Sequence, residues 1–99
     1  MIVAELSAVP VGTGTPSVSK YVSVAVKELE KMNLNPKLNA MCTEFEASDI
    51  EIICTAFENV HNALFEAGAE RVVTTLKIDE RRDKNSSIKK KILAVTNKN

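Results

Sequence analysis

The chain has 99 residues, 44% of them hydrophobic and 26% charged, with thirteen Lys and Arg against thirteen Asp and Glu. That size supports one core and not two, hiding about 60 to 65% of the unfolded chain's surface, so one domain over 1–99 is expected and self-association is a natural supplement. Zero net charge removes any long-range pull toward nucleic acid or an acidic membrane, so a basic patch has to be local.

The start, Met1 to Leu6, carries Glu5 and runs into Pro10, unlike a secretory leader, and no apolar run approaches the roughly 20 residues of a membrane span. Cys42 and Cys54 are too far apart in sequence for a metal or redox pair, and read as reduced, semi-buried thiols. A cytoplasmic location is the expectation.

From Ile2 the chain alternates, with Ile2, Ala4, Leu6 and Ala8 on one face and Val3, Glu5, Ser7 and Val9 on the other, which predicts a strand. Pro10 weakens its end. Gly12-Thr13-Gly14-Thr15-Pro16 is a turn in which Thr15, with Pro16 at the first helical position, or else Ser17, caps a helix. The helix carries Val18, Tyr21, Val22, Ala25, Leu29 and Met32 at steps of three and four, and Asn33 to Pro36 ends it.

Lys37 to Glu46 reads as two short strands joined tightly near Met41 and Cys42. Ser48-Asp49-Ile50-Glu51 has the pattern of a capping box, which starts a second helix with the stripe Ile50, Ile53, Phe57, Val60 and Leu64 and an end at Gly68. Arg71 to Asp79 alternates again as the last strand. After the charged turn Arg81 to Lys84, the apolar positions Ile88, Ile92 and Val95 predict a short helix capped from Ser86 or Ser87.

This order predicts an α+β fold, a ferredoxin-like β-α-β-β-α-β sandwich with a short C-terminal helix, in which right-handed crossovers put both long helices on one face of a four-stranded antiparallel sheet. The bare face then shows Val3, Glu5, Ser7 and Val9 beside Val73, Thr75 and Lys77. So mixed a surface suggests a protein contact enclosing a polar pocket.

The glycine-threonine loop before the first helix either only turns the chain or also meets a ligand at the helix N-terminus. Glu46 and Thr43 are expected near Glu5, where a carboxylate on an apolar face either binds a cationic ligand or is a paired structural charge. His61, the single histidine, is a poor metal site by itself, so no metal and no catalytic residue is expected. The alternating charges from Lys77 to Lys84 make a solvated or intersubunit ion-pair network, with recruitment of a phosphate by Arg81 or Arg82 as the alternative.

Four segments then carry a resemblance: Ala4-Glu5-Leu6 through Pro10-Val11-Gly12-Thr13-Gly14, Ser17 through Val22, Met41-Cys42-Thr43-Glu44-Phe45-Glu46, and Arg71 through Asp83. Together they resemble the small thiamine-binding protein family across nearly the whole chain. The resemblance implies a ferredoxin-like subunit, dimers joining sheets and commonly a tetramer, and binding of thiamine or its hydroxymethylpyrimidine portion without a reaction or a cofactor. Pro10, Gly12, Thr13, Ser17, Thr43 and Glu46 match the family's pocket-side positions. Where the family reads Pro-Met-Gly before Thr43, this chain has Ala40-Met41-Cys42, which puts a side chain where the backbone bends.

Competing expectations are a regulatory or scaffolding oligomer that binds a different small ligand, an RNA-binding module, and a phosphate-cleaving enzyme. RNA binding wants strand aromatics, of which the strands offer Phe45 alone, and phosphate cleavage wants an arginine within Pro10 to Thr15, which has none.

Overall fold

The structure is a computed structural model that describes residues 1–97, so the last two positions of the domain expected over 1–99 lie outside the described residues. Its elements in chain order are β1 (Ile2–Pro10), α1 (Ser19–Lys31), β2 (Lys37–Leu38), β3 (Thr43–Ala47), α2 (Ile50–Glu66), β4 (Val72–Asp79) and α3 (Ile88–Thr96). The four strands form one sheet in the order β2-β3-β1-β4, and every pairing is antiparallel. That is the predicted ferredoxin-like sandwich. Its two split β-α-β units each return through a helix on the same side of the sheet.

Alternation along β1 decides which residues meet those helices. Ile2, Ala4 and Leu6 are buried with Phe45 and Ala47 of β3, and they join Tyr21, Ala25 and Leu29 of α1 and Ile53, Ala56, Val60 and Leu64 of α2 in one core. Phe45, Leu29, Ile53, Leu64 and Val60 are the largest fully buried side chains. Replacing Phe45 by Ala would cost about 3–5 kcal/mol, because the void is walled by rigid helices.

Both long helices end in the same way. At α2 the Gly68 N–H donates to Phe65 O (3.0 Å) and the Ala69 N–H to Leu64 O (3.1 Å), with Gly68 at φ +113°. At α1, Asn33 takes the left-handed position at φ 58°, its N–H donating to Glu30 O (2.9 Å), while the Leu34 N–H reaches Leu29 O (3.2 Å). Each satisfies two end carbonyls and turns the next residue, Ala69 or Leu34, into the core.

The helix starts differ from expectation. Asp49, not Ser48, caps α2: its carboxylate accepts from the Ile52 N–H (2.9 Å) from an extended backbone. A charged acceptor at the positive helix end outcompetes the serine one residue earlier. α1 begins at Ser19 with no side-chain cap, because the Thr15 hydroxyl accepts instead from the Ser17 N–H (3.2 Å) inside the loop. Neither Thr15 nor Ser17 is the cap. For α3 the expectation holds at Ser87, whose hydroxyl accepts from the Lys90 N–H (3.0 Å).

The sheet face away from α1 and α2 is not wholly bare. Val3 lies on it between Glu46 of β3 and Asp79 of β4, yet it is buried. The Glu46 carboxylate accepts from the Ile88 N–H at 2.8 Å and Asp79 pairs with Lys91, so these two groups hold the first turn of α3 across this end of the sheet.

Candidate functional site

β1 outruns β3. Their pairing stops at Leu6 with Thr43, so Ser7, Ala8 and Val9 keep β4 on one edge and have no strand on the other. The chain fills that side with the β2–β3 hairpin, which is closed by the Asn39 N–H donating to Cys42 O (2.9 Å) around Ala40 and Met41. Between hairpin, strand edge and α1 lies a cavity of about 280 Å³, lined by Ser7, Val9, Val18, Val22, Leu38, Asn39, Cys42 and Thr43 among others. It runs on past Val18, Val22, Leu38, Asn39 and Ala40 into a groove that reaches Ser17 and Lys27. Thr43 and Ser17 therefore stand along one continuous cleft.

The expected site residues divide. Thr43 is buried on the helix-facing side of the sheet at 4% exposure, so it does not share Glu5's face. Three residues on, Glu46 does share the Glu5 side, but it lines a second groove of about 590 Å³ with Glu44, Leu34, Ile88 and Ile92. Strand alternation separates the pair. Pro10 ends β1 buried against Val72, and Gly12 and Thr13 follow in the loop between Val9 and Val18 of the cleft wall. Gly12 (φ +79°) and Gly14 (φ +82°) sit in the left-handed region, and a Cβ at either would meet nothing within 4 Å. They are there for the turn, not for close approach.

The cleft wall senses negative charge. Burial pushes the Cys42 thiol up from its ordinary value, and the nearby carboxylates of Glu5 and Glu44 push it further the same way. Sequence reasoning did not single out Asn39, Cys42, Leu38 or Val22 as a lining. The hint was the shortness of the two strands read over Lys37 to Glu46, since a short β2 and β3 leave the end of β1 uncovered.

Phe45 faces the helices and is fully buried, so the remaining sheet face offers no strand aromatic for base stacking. His61 Nδ1 lies 2.8 Å from Thr74 Oγ1, between the Phe57 and Phe65 rings. Cys42 is half-buried, but Cys54 is exposed and not the semi-buried thiol expected; both are free. Among the described residues no group of three or more His, Cys, Asp or Glu could hold a metal ion, and no helix is long and apolar enough to cross a membrane.

A ferredoxin-like α+β domain with a small, mostly apolar cleft carrying a few polar groups at a sheet edge has the form of a ligand-binding domain. The chain belongs to the thiamine-binding protein family, whose model matches residues 4–96. It is 42% identical to the UPF0045 protein of Methanothermobacter thermautotrophicus over 99% of both chains, and 38% identical to a Bacillus subtilis protein of the same group over 96% of this chain and 94% of that one. A crystal structure of a Methanocaldococcus jannaschii protein superposes with a TM-score of 0.88 at 41% identity, covering 96% of this chain and 95% of that one. A Thermotoga maritima protein shares the fold at a TM-score of 0.80 and 18% identity, over 95% and 97% of the two chains.

Proposed function

We propose that this chain binds thiamine, or its hydroxymethylpyrimidine portion, in the cleft between the end of β1, α1 and the β2–β3 hairpin, and that it does so as a cytoplasmic homo-oligomer without transforming the ligand. Family membership supports the ligand class. The fold neighbour from Thermotoga maritima is assigned provisionally to thiamine biosynthesis or salvage, in line with it.

The observation that carries the reading is the cleft's chemistry. Thiamine joins a flat aminopyrimidine to a cationic thiazolium. Val18, Val22 and Leu38 supply an apolar slot for the ring, while the Thr43 hydroxyl, the Asn39 amide and the strandless edge of Ser7 to Val9 supply donors and acceptors for its polar rim. Glu5 and Glu44 lie near Cys42 but outside the cavity lining, and their charge favours a cation only from that distance. Ser17 borders the outer groove, and Pro10, Gly12 and Thr13 set the loop above it. Glu46 contributes from the opposite sheet face through its hold on α3.

Oligomerisation rests on surface left over in one subunit. Val9 is 43% and Val73 52% exposed on the sheet face that also shows Glu5, Thr75 and Lys77, and a second copy laid there would bury both. Whether two or four copies assemble follows from mass measurement of the native protein.

Thermal unfolding with added thiamine tests the binding. Ligand at a hundred times its Kd adds about 2.7 kcal/mol, which raises the midpoint of a domain this size by upward of about 10 °C. Thr43→Val should need about tenfold more thiamine for the same shift, the effect of about 1.4 kcal/mol of lost hydrogen bonding. Thiamine recovered afterwards should be chemically unchanged. No shift at millimolar thiamine sinks the proposal, and a shift produced by some other small molecule instead would favour a regulatory or scaffolding oligomer.

A further inference from the structure

The charge of this chain is balanced in total and uneven in place. Between Lys77 and Lys91 seven basic side chains accompany three acidic ones, an excess of four that the rest of the sequence offsets. The fold gathers part of this excess around one cavity of about 440 Å³, lined by Arg81, Lys84, Asn85, Ser86, Lys90 and Lys91 with the small Ala94. Among the described residues no carboxylate lines it. Ser86 is largely buried, and the amide of Asn85 adds a neutral donor.

Two features set this cluster apart from a solvated ion-pair network. Arg82 pairs with Glu80 outside the cavity, Arg81 with Asp83 and Lys91 with Asp79, but Lys84 and Lys90 have no carboxylate within salt-bridge reach among the described residues. Lys89, Lys90 and Lys91 also occupy the first turn of α3, which carries no acid, so they face the positive end of the helix dipole. Cations placed there repel the helix end and each other, and an anion among them would relieve both. The exposed pairs of Arg81 and Lys91 are weak enough for a doubly charged anion to compete for them.

We propose that this cavity is a second binding site, distinct from the thiamine cleft, for the phosphate group of a small molecule, whether free diphosphate or a phosphate monoester. Arg81 offers a fork of N–H donors, while Lys84, Lys90 and Lys91 surround the group with positive charge. Glu46 keeps the Ile88 N–H for itself, so the anion is held by side chains and not by the helix end.

Amide chemical shifts of the whole chain, followed at low salt, test this. Titration with pyrophosphate should give saturable shifts confined to residues 81–91, with half-saturation at or below about 1 mM, and glycerol 3-phosphate should move the same amides if esters are accepted. The Lys84→Gln, Lys90→Gln chain, altered at exposed positions, should bind pyrophosphate at least tenfold more weakly with its unfolding midpoint unchanged. The proposal is overturned if no saturable shift appears by about 10 mM, if the double variant binds as well, or if an oligonucleotide displaces pyrophosphate and binds far more tightly through the same lysines. Thiamine would move Asn39 to Thr43 instead, so either site can fail without the other.

Discussion

Asp49 shows how one side chain sets where an element begins. Its carboxylate accepts the Ile52 N–H and lies at the positive end of α2, so Asp49→Ala should cost about 1 kcal/mol in urea unfolding. Ser48→Ala, a position with no such bond in the structure, should leave the midpoint almost unchanged. Equal losses from both would contradict the assignment. At the far end of the chain Asp83 has its carboxyl lowered to about 2, first by the hydrogen bond from Arg81. A carboxyl lowered on folding adds stability above its unfolded value near 3.9; that contribution is lost as the pH falls toward about 2. The Asp83 side chain is largely open to water, so the effect on stability is small and the carbon-13 titration of its carboxyl is the better readout. Arg81→Gln should return that titration toward the ordinary range.

Among the elements, α3 is held differently from the others. It buries no residue, with Ile92 57% and Val95 74% exposed, and it rests on the Glu46 and Lys91 contacts. Its amides should therefore exchange with solvent sooner than those of α1 and α2, and Glu46→Ala should speed α3 exchange with little effect on α2. Slow exchange in α3 in the monomer would contradict this. The helices and strands were legible in the sequence because their apolar spacing has one reading each: Ile53, Val60 and Leu64 fit a helix face, and Ile2, Ala4 and Leu6 a strand face. What could not be read was competition between neighbours. Ser48 and Asp49 are both good caps, and the charge and extended backbone of Asp49 decide between them; Thr15 spends its hydroxyl on Ser17 within the loop. Glu46 was legible as a notable carboxylate but not as the anchor of a helix forty-two positions on, because nothing local encodes that meeting.

For the whole molecule, sheet order determines where a ligand can go. A four-stranded sheet with β1 central has its long strand overhanging a short β3, and the overhang, closed by the hairpin and α1, becomes the cleft. Thr43 was picked from sequence and lies on that cleft, and Ser17 borders its outer groove. Their common location depends on β2 pairing with β3 in one particular register, which no local pattern announces. On the proposal above, this cleft takes up thiamine. Calorimetric titration of the native protein with thiamine measures that uptake: saturable heat with one ligand per chain, reduced about tenfold in affinity by Thr43→Val, is the predicted result. The absence of any saturable heat at millimolar thiamine, from protein shown to be folded, would contradict it.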